Sequence, residues 1–301
     1  MDKIEFKKRI RLDCASLQTF PASIVQFMPT TLTRLTIAQV NPRSCHGEIN
    51  KQVFGTDPQS VFVHLRLLCV QVCCSNSNLY DFQSFVPERF PILSNFVLGV
   101  PKQCCNGNED SPLVTIFSSK QWPSISSLRL IGDDTKVPDI GRLLFEAMPA
   151  LRSCIFRYMY TIDVSSSLIS CLGISELSLI ATILETSHVL GRFACLVYLE
   201  LKYMDIDSSY LKFIASCPRL VEIKLTDCDI TNDAIAAVYN YPCNSVRKVV
   251  ISKDNEDTFT DHIAYILPAF PNLRILDLTG IDREETRMSF ILKCPAVKII
   301  T

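Results

Sequence analysis

Two pairs of adjacent cysteines are the first candidates for a metal site in this sequence. Cys73-Cys74 and Cys104-Cys105 supply four thiols, the number that a tetrahedral zinc site uses. A chelating cysteine pair is normally separated by two residues, and no histidine completes a chelating spacing with either pair. We therefore predict neither a metal nor a cofactor. A disulfide switch is an alternative, but the pattern favours buried free thiols.

Histidine is the residue on which most nucleophilic and acid–base catalysis depends, and the chain has four. His46, His64, His188 and His262 are far apart in sequence, and nothing in their spacing brings a nucleophile, a base and an orienting group together. No Gly-rich phosphate-binding motif occurs among the nine glycines. The sequence therefore predicts a protein that is not an enzyme.

The balance of charge and hydrophobicity excludes several classes of partner. The chain has 30 Lys+Arg and 31 Asp+Glu, so the totals favour neither a nucleic-acid coat nor an acidic tail. The longest apolar stretch, from Val61 to Cys74, is interrupted by His64, Arg66 and Gln71, and falls short of the roughly 20 apolar residues that span a bilayer. We predict no membrane partner and do not favour nucleic acid.

Cysteine usage indicates the compartment. The 14 cysteines are scattered through apolar runs, and the first ten residues lack the continuous apolar core of a secretory signal. Buried thiols in a reducing compartment fit this pattern better than a disulfide framework. We predict a cytoplasmic protein, with the nucleus as an alternative.

The elements that must position any site come from a repeat, L-x-x-L-x-L. It occurs in full at residues 196–201, 220–225 and 273–278. With other apolar residues in place of leucine, the same frame begins at Leu32, Leu65, Leu93, Ile125, Leu151, Ile174 and Val246. Weaker copies lie at residues 7–12 and 297–300.

The spacing of these frames is that of leucine-rich repeats. From residue 151 onward the steps are 23, 22, 24, 26 and 27 residues, within the band of about 20 to 29 for this repeat. The earlier steps are longer and indicate insertions. We predict one domain over residues 1–301 with about twelve repeats, irregular in 1–120 and regular in 121–301.

Each repeat encodes a strand followed by a helix. The last two apolar residues of the frame are two apart, so both point to one face of an extended segment. Between frames the apolar spacing becomes three and four, as in residues 207–217. A proline often precedes the frame and ends the helix; these are Pro91, Pro123, Pro149, Pro218, Pro271 and Pro295. The expected fold is a curved, right-handed α/β leucine-rich-repeat solenoid with parallel strands on the concave side and helices on the convex side.

One segment also resembles a known family. Residues 217–235 run Cys-Pro-Arg-Leu-Val-Glu-Ile-Lys-Leu-Thr-Asp-Cys-Asp-Ile-Thr-Asn-Asp-Ala-Ile, similar to the cysteine-containing leucine-rich repeats of F-box proteins. Cys217 precedes the frame, and Cys228 occupies the ladder position three residues after its last leucine. Residues 270–278 and the Cys294-Pro295 pair resemble the same repeats.

The resemblance implies that the repeats recruit a substrate protein, while an F-box recruits a ubiquitin-ligase adaptor. Residues 1–31 show no Leu-Pro-rich helical segment resembling an F-box. A role in a ligase therefore requires an F-box from sequence outside this chain or another adaptor-binding segment.

Residues between the core positions of each strand should project onto the concave face, where solenoids usually bind partners. The alternating charges from Tyr198 to Lys248 make this the preferred partner-binding surface, and an ordinary solvated face is the alternative. The predicted partner-binding residues are Arg129, Arg157, Glu176, Tyr198, Glu200, Lys202, Glu222, Lys224, Thr226, Lys248 and Asp277. Arg34 and Thr36 occupy equivalent positions nearer the amino terminus.

Other stretches offer weaker candidates. A hydrophobic docking surface is suggested by Leu67, Cys69, Val97, Ile155 and Ile180, which the neighbouring insertions could equally cover. Residues 41–58 and 100–112 are predicted loops that either bind partners or simply vary in length.

The sequence thus predicts a non-catalytic scaffold that binds a protein partner. One alternative is the substrate-recognition part of an F-box-type ubiquitin ligase receptor. Another is a regulatory surface for a GTPase or other enzyme.

Overall fold

The structure is a computed structural model. It describes residues 9–13, 32–38, 61–71, 86–99, 117, 120–137, 144, 146–162, 173–184, 193–253, 261–281, 284–293 and 296–301. The chain divides into two compact units, Met1–Leu151 with Tyr158–Tyr160, and Arg152–Arg157 with Thr161–Thr301.

The described part of the first unit contains five parallel strands that pair in chain order. They are β1 (Arg9–Asp13), β2 (Arg34–Ala38), β3 (Leu67–Gln71), β4 (Asn95–Gly99) and β5 (Ser127–Val137). The pairing is in register, so the first residues of successive strands are neighbours from Arg9 through Arg34, Leu67 and Asn95 to Ser127. A 3₁₀ helix covers Pro87–Arg89.

Aromatic rings fill the core beneath these strands. Trp122, the single tryptophan of the chain, is 2% exposed and stacks at 6.2 Å, between ring centroids, from both Phe90 and Phe96. Phe62 stacks on Phe90 at 5.3 Å. Large rings bury more area than aliphatic side chains, so they suit the irregular repeats of this unit.

In the second unit, the described residues form seven parallel main strands. In order of pairing they are β6 (Ser153–Ile162), β7 (Glu176–Ile180), β9 (Tyr198–Lys202), β11 (Glu222–Thr226), β13 (Lys248–Ser252), β14 (Ile275–Gly280) and β15 (Lys298–Ile300). Short second strands follow three of them: β8 (Ile183–Leu184), β10 (Asp205–Ile206) and β12 (Asp229–Ile230). Its described helices are α1 (Ser208–Ala215), α2 (Asn232–Ala237), α3 (Glu284–Lys293) and a 3₁₀ helix at Asp261–Ala269.

The predicted apolar register is confirmed. Leu199 pairs with Ile223, Leu201 with Leu225, and Val249 with Leu276. Each of these residues is at most 1% exposed. Side chains of the alternate positions, such as Tyr198 and Glu200, are half-buried on the opposite face. The helices therefore lie on the leucine side, where α1 buries Leu211 and Phe213.

Where a proline precedes the frame, it forms part of a tight turn. In the first unit the amide of Leu93 donates to the carbonyl of Phe90 across Pro91. In the second, the amide of Leu220 donates to the carbonyl of Cys217 across Pro218. Proline suits the second position of such a turn because its ring presets φ near the required value. The turn thus places the first apolar residue of the frame at the start of the strand.

A left-handed residue follows each of three neighbouring strands in the second unit. Ala181, Tyr203 and Asp227 have φ values of 45°, 55° and 45°. Their amides still donate to the next strand, to the carbonyls of Lys202, Thr226 and Ser252 respectively. The left-handed conformation is costly for residues other than glycine, and these ladder hydrogen bonds offset part of that cost. The turn directs the next residue, such as Cys228, into the core.

Helix α1 begins at an aspartate that caps two amides. Asp207 has extended backbone, and its Oδ1 accepts from the amides of Ser209 and Tyr210, both at 3.0 Å. Replacing Asp207 with alanine should lower the free energy of unfolding by about 1 kcal/mol, because two amides lose their acceptor. Urea unfolding measures this change. Lys212→Ala, an exposed change on the same helix, should have less effect, and an equal loss in both variants would contradict the assigned cap.

The start of α2 differs from that of α1. Thr231 is the capping residue but makes no side-chain cap hydrogen bond. The Asp233 carboxylate instead accepts from the amide of Ser208, at the start of α1 in the preceding repeat, at 3.0 Å. Hydrogen bonds from Thr231 and Ser208 hold the pKa of Asp233 well below its usual value. The carboxylate therefore links two consecutive repeats.

Candidate protein-binding surface

The outward face of the second unit carries two rows of polar side chains, which the strand register aligns. The first row runs from Glu176 through Tyr198 and Glu222 to Lys248. The second runs from Ser178 through Glu200 to Lys224. We call this surface the charged strip, and its residues are Glu176, Tyr198, Glu200, Glu222, Lys224 and Lys248.

Two ion pairs cross neighbouring strands within the charged strip. Lys224 Nζ lies 3.0 Å from Glu200 Oε1, and Lys248 Nζ lies 3.0 Å from Glu222 Oε1. Ser178 Oγ donates to the other carboxylate oxygen of Glu200 at 2.8 Å. Half-exposed pairs of this kind stabilise a fold by only about 0–1 kcal/mol. Their main consequence is that the charged groups are ordered before any partner arrives.

Tyr198 lies at the acidic end of the strip. Burial and the carboxylates of Glu200, Glu222 and Glu176 raise the pKa of Tyr198 to about 12. The hydroxyl therefore stays protonated at neutral pH. Within the part of the chain that the structure describes, no cationic group lies within ion-pair distance of Glu176. This end of the strip consequently presents an aromatic ring and excess negative charge.

The remaining predicted residues have different environments. Lys202 is half-exposed, with its Nζ 4.7 Å from the ring centroid of Tyr203. Asp277 accepts from the amide and hydroxyl of Thr279, which holds the end of β14. Arg157 is exposed on β6 beside Ile180 of β7. Arg129 is exposed on β5 and belongs to the first unit, so it is not part of the charged strip.

Thr226 was predicted to contact a partner, and the structure contradicts this prediction. It is 2% exposed, and its Oγ1 lies 2.7 Å from Ser252 Oγ on the next strand. The left-handed residue Asp227 follows directly. Thr226 therefore supports the sheet from within.

Sequence reasoning missed Ser178, which is 4% exposed and positions the Glu200 carboxylate. Ser178 occupies the outward position of its frame, directly opposite Glu200 in the parallel register. Aligning the frames of β7 and β9 residue by residue is the signal that identifies it.

The weaker candidates of the first unit have mixed exposure. Leu67, Cys69 and Val97 are half-buried on β3 and β4, while Arg34 is exposed and Thr36 half-buried on β2. In the second unit, Ile155 and Ile180 are half-buried. Hydrophobic docking at these positions stays a prediction. Both predicted loops, 41–58 and 100–112, lie outside the described residues.

Cys228 follows the left-handed residue Asp227 and is buried. Its single S–H group has two acceptors within reach, the carbonyl of Leu201 in the preceding repeat at 3.2 Å and that of Thr226 at 3.4 Å from Sγ. Cys217 donates to the carbonyl of Phe213 at 3.4 Å. Burial raises the pKa of both thiols to about 12. These cysteines therefore serve as buried hydrogen-bond donors.

The raised pKa predicts that Cys217 and Cys228 resist alkylation. The reactive species is the thiolate, which is scarce in the folded protein at neutral pH. We expect maleimide to modify both residues slowly under native conditions and rapidly in denaturant, as followed by peptide mass spectrometry. The half-buried Cys195 is the internal control and should react earlier. Modification of Cys228 before Cys195 would contradict the buried ladder position.

The same thiols predict a stability that falls in alkali. Their folded pKa lies near 12 against an ordinary value of 9.0, so the unfolded state loses these protons first as the pH rises. The stabilisation is complete below pH 9.0 and declines between there and about pH 12. Urea titrations at increasing pH measure it. A free energy of unfolding that rises across this range would contradict the assignment.

The residues considered for metal binding and catalysis are only partly within the described part of the chain. Among the described residues, no group of three or more His, Cys, Asp or Glu side chains is arranged to hold a metal ion. Both adjacent cysteine pairs, His46 and His188 lie outside the described residues. His64 is exposed in the first unit. In the described ranges, no helix has the length and hydropathy needed to cross a bilayer.

Parallel strands with a common apolar register, joined by proline turns and returning helices, define an α/β leucine-rich-repeat solenoid protein. No protein-family model matches the chain, and no curated protein matches it. Among solved structures, an internalin (inlF) from Listeria monocytogenes matches with 13% sequence identity and a TM-score of 0.40. That match covers 90% of this chain and 80% of the internalin chain.

Proposed function

We propose that this chain is a non-catalytic scaffold that binds a partner protein through the charged strip. The observation that carries the proposal is the pair of pre-ordered ion pairs, Lys224–Glu200 and Lys248–Glu222, beside the half-buried ring of Tyr198. Groups held in place before binding lose less conformational freedom when the complex forms. Aromatic residues flanked by charged groups are typical anchors of protein interfaces.

The distribution of charge defines the chemistry of the partner. Three carboxylates surround Tyr198, and the two lysines lie toward β11 and β13. A complementary partner places a lysine or arginine against Tyr198 and Glu176, and an acidic residue toward Lys248. The buried thiols of Cys217 and Cys228 suit a reducing compartment, so we place this interaction in the cytoplasm, with the nucleus as the alternative.

Site-specific photocrosslinking tests the proposal. A benzophenone amino acid replaces Tyr198, and a matched protein carries it at Lys212, exposed on α1 behind the sheet. After irradiation in cell extract, one defined protein should crosslink at position 198 and not at position 212. The captured protein should then bind the purified chain directly. Equal crosslinking at both positions, or none at position 198, would contradict binding through the strip.

A finer candidate is the substrate-recognition part of an F-box-type ubiquitin ligase receptor. It is supported by the resemblance of residues 217–235 to cysteine-containing repeats and by the ladder hydrogen bonds of Cys228. Ligase adaptor and cullin subunits should then co-purify with the protein. If a single stable enzyme such as a GTPase co-purifies instead, the strip is a regulatory surface for that enzyme.

A further inference from the structure

A pocket of about 580 Å³ lies in the first unit at the amino-terminal ends of β1 to β4. Its polar wall is dominated by cationic side chains and one imidazole: Arg9, Arg34, Arg66 and His64. All four residues are exposed. The function proposed above does not use this pocket, which belongs to a different unit from the charged strip.

The strand register brings the arginines together. Arg9 and Arg34 begin β1 and β2 and are direct register partners, about 4.8 Å apart across the strands. Arg66 precedes β3, and its backbone is tied to both neighbouring repeats. Its amide donates to the carbonyl of Thr33, and its carbonyl accepts from the amides of Ser94 and Asn95. The backbone under the pocket is therefore fixed, while the guanidinium groups remain accessible.

This concentration of positive charge is uncompensated within the described residues. No carboxylate there lies within ion-pair distance of Arg9, Arg34 or Arg66, whereas the lysines of the charged strip are paired at 3.0 Å. Like charges directly opposite one another on neighbouring strands are destabilising. The arrangement thus costs folding free energy unless an anion binds between the arginines.

The positive field continues from the pocket onto the outward face of the sheet. Burial raises the pKa of the Cys69 thiol, whereas the positive charges of Arg129 on β5 and Arg11 on β1 act to lower it. The outward positions of β2, β3 and β4 contain no acidic residue. An anion in the pocket can therefore be flanked by further negative groups that contact these two arginines.

The chemistry of the lining indicates which anion fits. Guanidinium groups bind phosphate through paired hydrogen bonds, and a phosphomonoester carries about −1.5 to −2 charge at neutral pH, against −1 for a carboxylate. Leu67 and Ile92 add an apolar wall, and Asn95, held by its hydrogen bond to Ser94 Oγ at 2.9 Å, adds an amide. Among the described residues that line the pocket there is no Phe, Tyr or Trp ring to stack on a nucleobase.

We propose that this pocket binds the phosphate of a phosphorylated serine or threonine in an acidic segment of a partner protein. Arg9, Arg34 and Arg66 contact the phosphate, and the apolar wall contacts the carbon atoms of the segment. Arg11 and Arg129 contact acidic residues beside the phosphorylated one. The volume is in the range of about 300–1,000 Å³ that accommodates a ligand of this size.

Binding of defined peptide pools tests the proposal. The full chain is immobilised and exposed to a degenerate peptide pool with a fixed central phosphoserine flanked by aspartate, or to the same pool with serine. The phosphorylated pool should be retained at least about tenfold better, since charge-assisted hydrogen bonds to phosphate are the strong class. Inorganic phosphate should compete with it. The double variant Arg34→Gln/Arg66→Gln should lower retention by about tenfold or more.

Arg219→Gln is the matched control. Arg219 is exposed and occupies the same position in its repeat as His64 does in its own, but lies in the second unit. The Arg219→Gln variant should retain the phosphorylated pool as well as the unmodified chain does. Circular dichroism verifies that this variant and the double variant both fold. Equal retention of the two pools, or full retention by the folded double variant, overturns the proposal. Stronger retention of phosphoinositide vesicles or single-stranded RNA than of the phosphorylated pool overturns the assignment to a protein partner. None of these readouts depends on the charged strip.

Discussion

Leu225→Asp is expected to abolish cooperative folding of the second unit. Leu225 is 1% exposed and pairs with Leu201 on one side and Ile251 on the other, so the new carboxylate enters an apolar stack. Loss of the leucine alone costs about 2–5 kcal/mol, and a buried unpaired polar group adds several more. The total approaches the whole stability of a domain, about 5–15 kcal/mol. Thermal unfolding followed by circular dichroism measures the effect.

Two matched variants separate this effect from general intolerance of the strand. Leu225→Met retains an apolar side chain of similar volume and should cost less than about 1.5 kcal/mol. Lys224→Gln changes the adjacent outward residue and removes only a half-exposed ion pair, worth about 0–1 kcal/mol. Leu276→Asp, in the same register on β14, should repeat the loss. Normal thermal unfolding of either aspartate variant would contradict the assigned register.

The largest functional effect is expected at the charged strip. Charge reversal of Glu200, Glu222 and Lys224 together should weaken binding of the crosslinked partner by about 30-fold or more, as should Tyr198→Ala. The reversal removes electrostatic complementarity, and the alanine removes the aromatic anchor. All four side chains are half-exposed, so the fold should persist. Calorimetric titration with the captured partner measures the change.

The ion pairs provide a sharper control for this experiment. The double reversal Glu200→Lys/Lys224→Glu restores an ion pair across β9 and β11 with its direction inverted. Stability should therefore remain close to that of the unmodified protein, while the charge pattern that a partner meets is reversed. Weaker partner binding at unchanged stability supports the strip. Unchanged affinity in the folded triple variant would exclude it.

The repeat frame predicted every main strand that the structure describes, because alternate apolar residues must all point to one core. The frame at 196–201 contains most of β9, and that at 220–225 contains most of β11. Even the weak copy at residues 7–12 falls on β1. Proline before the frame marked the turn for a similarly local reason, since its fixed φ suits one position of that turn.

Which charges meet was decided by the tertiary structure. Residues about 24 apart in sequence, such as Glu200 and Lys224, become neighbours only when two frames stack in register. Thr226 is two residues after Lys224, so the alternation of the strand predicts that it faces outward too. It is nevertheless buried against Ser252, directly before the left-handed residue Asp227. The Asp233 carboxylate likewise accepts from the amide of Ser208 in the preceding repeat, a contact that forms only when the repeats stack.

The sequence by itself determined which side chains face the core and which face outward, since that depends on the two-residue period of an extended chain. The three-dimensional arrangement decided how the outward residues combine: paired charges around Tyr198 in one unit, and in the other a group of arginines that line a pocket and meet no carboxylate among the described residues. Pairing depends on distances between atoms of different repeats, and those distances arise only after the strands have aligned.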